Sequence, residues 1–177
     1  MFQVSGKQSV SSSTVYRRAM SILLWLAVST GLAVSIFTLV EELCLATACS
    51  DAASFTLFGV GMGWFGIAYF SLILLFLWLR QKVYLLDWVF SAMIFSGIGA
   101  EFRLLWIQKY VIGSWCPLCV TICFALFLAA ILLFIEKVQD TRSGQGRVKS
   151  LLGWLAFMMA MIAIGLAIAV AGVKALA

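Results

Sequence analysis

The stretch Gly63-Trp64-Phe65-Gly66-Ile67-Ala68-Tyr69-Phe70-Ser71-Leu72-Ile73-Leu74-Leu75-Phe76-Leu77-Trp78-Leu79 carries no charged residue, and neither does the run that leads into it from Leu57. A helix rises about 1.5 Å per residue and the hydrocarbon layer of a bilayer is roughly 30 Å thick, so about 18 or more apolar residues in a row can cross it. The same composition extends outward on both sides. Of 177 residues, 64% are hydrophobic and 11% charged, with a mean hydropathy of +1.12. A soluble domain is nearer half apolar and a quarter charged. The expected fold class is therefore an all-α membrane protein.

Five spans are expected. The first runs from about Ala19 to Val40 after a polar, Ser-rich tail, residues 1–18, that ends in Arg17-Arg18. Its apolar run is too long for a signal peptide and is followed by Glu41-Glu42 where a small-residue cleavage site would be needed, so it reads as a retained anchor. A polar outer loop, 41–56, follows. The second span covers about Leu57 to Leu79. The third starts near Val83 and stays mostly apolar to Ile112, broken by Asp87, Glu101, Arg103 and Lys109, so its end is expected to project into water or to tilt. Gly113-Ser114 ends it. The fourth covers about Trp115 to Ile135, 136–150 reads as a charged loop, and the last segment, 151–177, carries the fifth span up to about Val173. Four spans over 19–135 make one bundle, and the fifth is an addition at its C-terminal side.

Charge sets the orientation. With the N-terminus inside, nine of the twelve basic residues fall on inner segments: Lys7, Arg17, Arg18, Arg80, Lys82, Lys137, Arg142, Arg147 and Lys149. Arg103, Lys109 and Lys174 fall outside. Basic residues concentrate on the cytoplasmic side of membrane proteins. The net charge of +5 is thus a topology signal, and a nucleic-acid partner is rejected. The expected setting is a bacterial inner membrane crossed several times, with a cytoplasmic N-terminus.

The same orientation puts Cys44 and Cys49 in the first outer loop and Cys116 and Cys119 at the outer end of the fourth span. That face is the oxidising one, where disulfides persist. Cys116-Pro117-Leu118-Cys119 is a C-x-x-C at an expected helix start. Residues three apart share a helix face, so the two sulfurs can meet with little backbone movement. Pro117 suits the first turn, where a missing N–H costs nothing. The helix dipole favours a thiolate there and lipid burial opposes it, and sequence leaves that balance open. Cys44 and Cys49 read as a flexible, water-facing pair. Cys123, one turn deeper than Cys119, reads as packing. Two alternatives stand beside redox chemistry: structural cysteines, or a metal site with four cysteine ligands. With no His in the chain and no other redox group in its sequence, two linked thiol pairs point to a lipid-soluble quinone as electron acceptor, since thiol–disulfide exchange moves electrons only between sulfurs. Such a site would lie beside Cys119, deeper than Cys116, among aromatic side chains.

In order along the chain stand the loop pair Cys44/Cys49, Ser54 within Ser54-Phe55-Thr56-Leu57-Phe58-Gly59, the run from Phe58 to Tyr69, and Trp115-Cys116-Pro117-Leu118-Cys119. Over about residues 20–135 this ordered set resembles the vitamin K epoxide reductase family in its bacterial branch. The resemblance implies a four-helix transmembrane bundle around a quinone, here with a fifth helix. It implies that Cys119 reacts with the quinone (ubiquinone or menaquinone), that Cys116 exchanges with Cys49, and that Cys44 exchanges with a periplasmic DsbA-like protein of thioredoxin fold. It implies that Ser54, with Phe55 beside it, covers the quinone pocket on a short helix. Departures from the family are also plain. Gly61 stands where Pro is usual, and the loop between Cys49 and Ser54 is about one residue short. Cys123 replaces the Tyr of the animal enzymes, and the chain has no Asn to hold a quinone as theirs does. These last points favour plain quinone reduction over epoxide reduction. The family's bacterial members often carry a fused thioredoxin domain; its absence after Val173 implies a separate partner. DsbB shares this chemistry but has its C-x-x-C in the first outer loop, which makes it the poorer match.

Overall fold

The computed structural model describes residues 8–44, 55–80, 84–113, 115–141 and 147–175. Among them, five helices are long and apolar enough to cross a membrane, so the chain is an all-α membrane protein of multi-pass type. The helices are α1, Gln8–Cys44; α2, Met62–Leu79; α3, Tyr84–Ile107; α4, Pro117–Thr141; and α5, Arg147–Gly172.

Each helix buries one stripe and leaves an equally apolar face outward. On α1 the buried positions Met20, Leu24, Ala27, Val28 and Ser35 recur at helical spacing, while Ile22, Leu26, Ile36 and Phe37 are exposed. On α2, Phe70, Ile73 and Leu77 are buried and Trp64, Leu72, Leu75 and Trp78 are exposed. A helix that is apolar all round has lipid as its outer neighbour. The inner stripes meet in a core of Leu24, Phe70, Ile73, Phe90, Ile94, Phe95 and Leu126. Lipid tails are as apolar as leucine, so close packing and polar contacts must hold the helices together.

Two features supply that hold. At one end, Arg80 at the close of α2 reaches Asp87 of α3 at 3.3 Å and both carboxylate oxygens of Glu136 of α4 at 3.0 Å. Its guanidinium also lies 5.1 Å from the Phe90 ring centre. Along the bundle, α5 rests on α3 backbone to backbone. A Cβ on Gly165 would collide with the Ser96 carbonyl, and one on Gly99 with the Ile162 carbonyl.

The other end holds a small antiparallel sheet that the sequence did not announce. Its strands are β1, Phe55–Leu57; β2, Val60–Gly61; and β3, Val173–Ala175, in the order β2-β1-β3. Phe58 and Gly59 join β1 to β2 with φ of 53° and 83°, the positive pair that a tight hairpin requires. On the other side Leu57 faces Val173 and Phe55 faces Ala175, and the Phe58 N–H donates to the Gly172 carbonyl at 3.0 Å.

Several expected boundaries are corrected. The tail expected over 1–18 is helical from Gln8, because a span already formed extends outward at little nucleation cost. The loop expected from Glu41 begins later, since α1 runs to Cys44. Leu57 belongs to β1, and the second span begins at Met62. The fourth helix starts at Pro117, two positions past Trp115, and continues to Thr141, shortening the loop expected over 136–150. Val173 ends no helix but opens β3.

Candidate active site

The site is built where α3 passes into α4. The last turn of α3 widens into a π-helical turn, Gln108–Ile112, and stops at Gly113, whose φ of 76° is the left-handed cap that a side chain resists. The Gly113 N–H closes this turn on the Gln108 carbonyl at 2.9 Å. Such widened turns are frequent at functional sites. The chain then re-enters the bundle. Pro117 is the first residue of α4, and the Cys116 carbonyl accepts the Val120 N–H at 3.2 Å. Cys116 is therefore the cap of α4, and Cys119 lies in its first turn, as the C-x-x-C spacing predicts.

The two sulfurs differ in state. Cys116 is buried and disulfide-bonded. Cys119 and Cys123 are free thiols, so neither is its partner. Cys49, Ser54 and the Cys44 side chain lie outside the described residues, as does the sulfur bonded to Cys116. Cys123 is buried and does not line the cavity described next, in keeping with a packing role.

Cys116 and Cys119 both open onto a cavity of about 220 Å³. Its walls come from every helix: Thr38 of α1, Phe65 and Tyr69 of α2, Leu104 and Ile107 of α3, Ile122 and Leu126 of α4, and Ile168 and Ala169 of α5. An apolar cavity of about 150 Å³ already accepts benzene, so a single substituted ring fits this one. Phe55 lines it from strand β1, where pairing with Ala175 of β3 holds it extended; the short helix that the resemblance implies for Ser54 falls outside the described residues.

Two lining residues escaped the sequence reading. Gln108 is buried, and its Oε1 accepts the Cys116 N–H at 3.3 Å. The same side chain lies against the Cys119 thiol. Glu101 is also buried and lines the cavity. Both lie on the helix end expected to project or tilt into water; their side chains are buried at the cavity, while Phe102, Trp106, Lys109 and Tyr110 of the same end are exposed. The signal was present, since an acidic residue inside a span faces the protein interior almost without exception.

The surface around the cysteine end is aromatic. Trp64, Trp106, Tyr110 and Trp115 are exposed near the cysteine end, with the Arg103 guanidinium 4.6 Å from the Trp106 ring centre and the Lys109 ammonium 5.1 Å from that of Tyr110. Aromatic rings with nearby cations are frequent where membrane helices meet the membrane–water boundary.

No protein-family model matches the chain, and no curated protein or solved structure matches it either.

Proposed function

We propose that the chain is a membrane thiol oxidase. It takes two electrons from a reduced, DsbA-like thioredoxin-fold protein and passes them through Cys44/Cys49 and Cys116/Cys119 to ubiquinone or menaquinone. The membrane is a bacterial inner membrane, the N-terminus is cytoplasmic, and the cysteines face the periplasm. One observation carries this reading above a purely structural role for the cysteines: Cys116 is disulfide-bonded elsewhere while Cys119, three residues on, is a free thiol on a ring-sized apolar cavity.

That combination is what a relay looks like halfway. In the proposed cycle the partner's two thiols reduce the Cys44–Cys49 disulfide. The Cys49 thiolate then attacks the Cys116 sulfur of a Cys116–Cys119 disulfide, forming Cys49–Cys116 and releasing Cys119. Attack of Cys44 on Cys49 closes the loop pair again and frees Cys116. The Cys116 and Cys119 thiols finally re-form their disulfide, and a quinone takes the two electrons and two protons. The quinone's ring would sit against Cys119, Phe55 and the aromatic wall. Its chemistry is acceptance of an electron pair; the chain's own residues orient it and exclude water.

Cys119→Ala tests this directly. With a reduced thioredoxin-fold protein and a soluble quinone, turnover should vanish; before reductant is added, the lone Cys116 thiolate should attack Cys49 of the Cys44–Cys49 disulfide and release Cys44 as a thiol, leaving a Cys49–Cys116 mixed disulfide that mass spectrometry of peptides finds. Undiminished turnover would sink the reading.

A further inference from the structure

Among the described polar side chains lining the cavity, one oxygen has nothing to bond. The Ser35 and Thr38 hydroxyls donate to carbonyls of their own helix, Gly31 and Val34, at 2.9 Å. The Tyr69 hydroxyl donates to the Met93 carbonyl at 2.5 Å, and the Ser96 hydroxyl to the same oxygen at 3.0 Å. Gln108 is held by Cys116. Glu101 is nine-tenths buried and its Oε2 has no hydrogen-bond partner. An unmatched buried carboxyl oxygen costs stability. Such groups inside a span mark proton or ion pathways by default. The titratable groups that feel the Glu101 charge are Tyr69 from α2 and Cys119 and Cys123 from α4. Tyr69 is committed to Met93, and Cys123 does not reach the cavity. Glu101 and Cys119 are left facing one ligand-sized space.

We propose that Glu101 is the proton carrier of this cavity, taking the proton of the Cys119 thiol and delivering one to a carbonyl oxygen of the bound quinone. The inference rests on the thiol-oxidase reading. Its balance is complete. The Cys116 and Cys119 thiols lose two electrons and two protons as the S–S bond forms, and the quinone gains both pairs and leaves as the quinol. One proton passes through Glu101, which ends each turnover as it began; the other comes from the Cys116 thiol. The carboxyl also supplies a hydrogen bond to the quinone oxygen, in a chain with no Asn to do so.

Glu101→Gln keeps the shape of the side chain and its hydrogen-bonding capacity but cannot exchange a proton. Ubiquinone-1 should bind the full-length variant as it binds the wild type, measured by equilibrium dialysis in detergent. Quinol formation at saturating quinone should fall by about 100-fold or more, the ordinary contribution of a positioned acid–base group. Glu101→Asp should recover part of that loss. In infrared difference spectra, quinone binding should perturb a carboxyl band in the wild type that is missing from Glu101→Gln. Full turnover by Glu101→Gln, or a loss explained by weaker binding alone, would overturn the proposal. Should that variant fail to assemble, a wild-type spectrum with no carboxyl band responding to quinone overturns it equally. A wild type that neither binds nor reduces quinone would bring down the thiol-oxidase reading itself, whereas an active wild type matched by Glu101→Gln would remove only the role of Glu101.

Discussion

At the scale of single residues, Gln108 joins the helix-breaking turn to Cys116 and Cys119. Its Oε1 takes the Cys116 N–H, one of the groups that a helix start leaves without a partner inside the helix. Gln108→Leu keeps the bulk and strands that N–H in a buried position. It should destabilise the protein by about 1–3 kcal/mol, the usual cost of an unmatched buried donor. It should also slow exchange at Cys116 more than it weakens quinone binding, because the backbone that aims the sulfur is loosened while the cavity wall stays apolar. Detergent-resistant unfolding and stopped-flow exchange with a reduced thioredoxin-fold protein measure the two effects; unchanged stability would show that Gln108 merely fills space. The cysteines were legible in the sequence because their chemistry is tied to residue type and their spacing to a helix turn. Glu101 carried a signal as an acidic residue within a span, but Gln108 did not, since a polar residue near the end of a long span can point to water or inward. Only the phase of α3 against its neighbours, set by the packing of Phe90, Ile94 and Ile98 in the core, decides which.

At the scale of elements, α5 changes from an appendage to a wall. Its length and composition were readable as a membrane span, and its small residues Gly165, Ala169 and Gly172 as a close-packing face. Their neighbour was not readable. Gly165 lies on the Ser96 carbonyl of α3, Ala169 is buried at the cavity, and Gly172 abuts Phe58 and Leu57. Strand β3 was invisible for a related reason. Three residues, Val173-Lys174-Ala175, carry no alternation long enough to read, and their extended form comes from pairing with β1. Gly165→Leu should therefore lever α5 off α3. Overpacking of this kind costs about 1–3 kcal/mol, and opening one wall of the cavity should weaken quinone binding along with it. Gly153→Leu, at a position on the same helix where a Cβ meets nothing, should do neither. Equal effects from both substitutions, read by equilibrium dialysis of ubiquinone-1 and by thermal unfolding in detergent, would count against α5 as part of the site.

At the scale of the whole molecule, the two ends of the bundle are built for different surroundings. One end is tied by Arg80 between Asp87 and Glu136, a link among α2, α3 and α4 that leaves these helices little freedom to splay. The other carries the sheet, the π-helical turn, the disulfide-bonded Cys116 and the exposed aromatic rim. Redox exchange with a soluble partner needs the second end to face the oxidising compartment, and the distribution of basic residues gives the same direction from an unrelated physical cause. Topology can therefore be tested without any assay of function. In a variant with all five cysteines replaced by alanine, a single cysteine at Lys109, which is exposed beside the aromatic rim, should react with a membrane-impermeant maleimide in intact spheroplasts. A single cysteine at Lys137, near the Arg80 end of α4, should react only after the membrane is opened. The reverse pattern would put Cys116 and Cys119 against the reducing cytoplasm, where a disulfide formed in the reduced partner would not persist, and the thiol-oxidase reading would fail with the orientation it depends on.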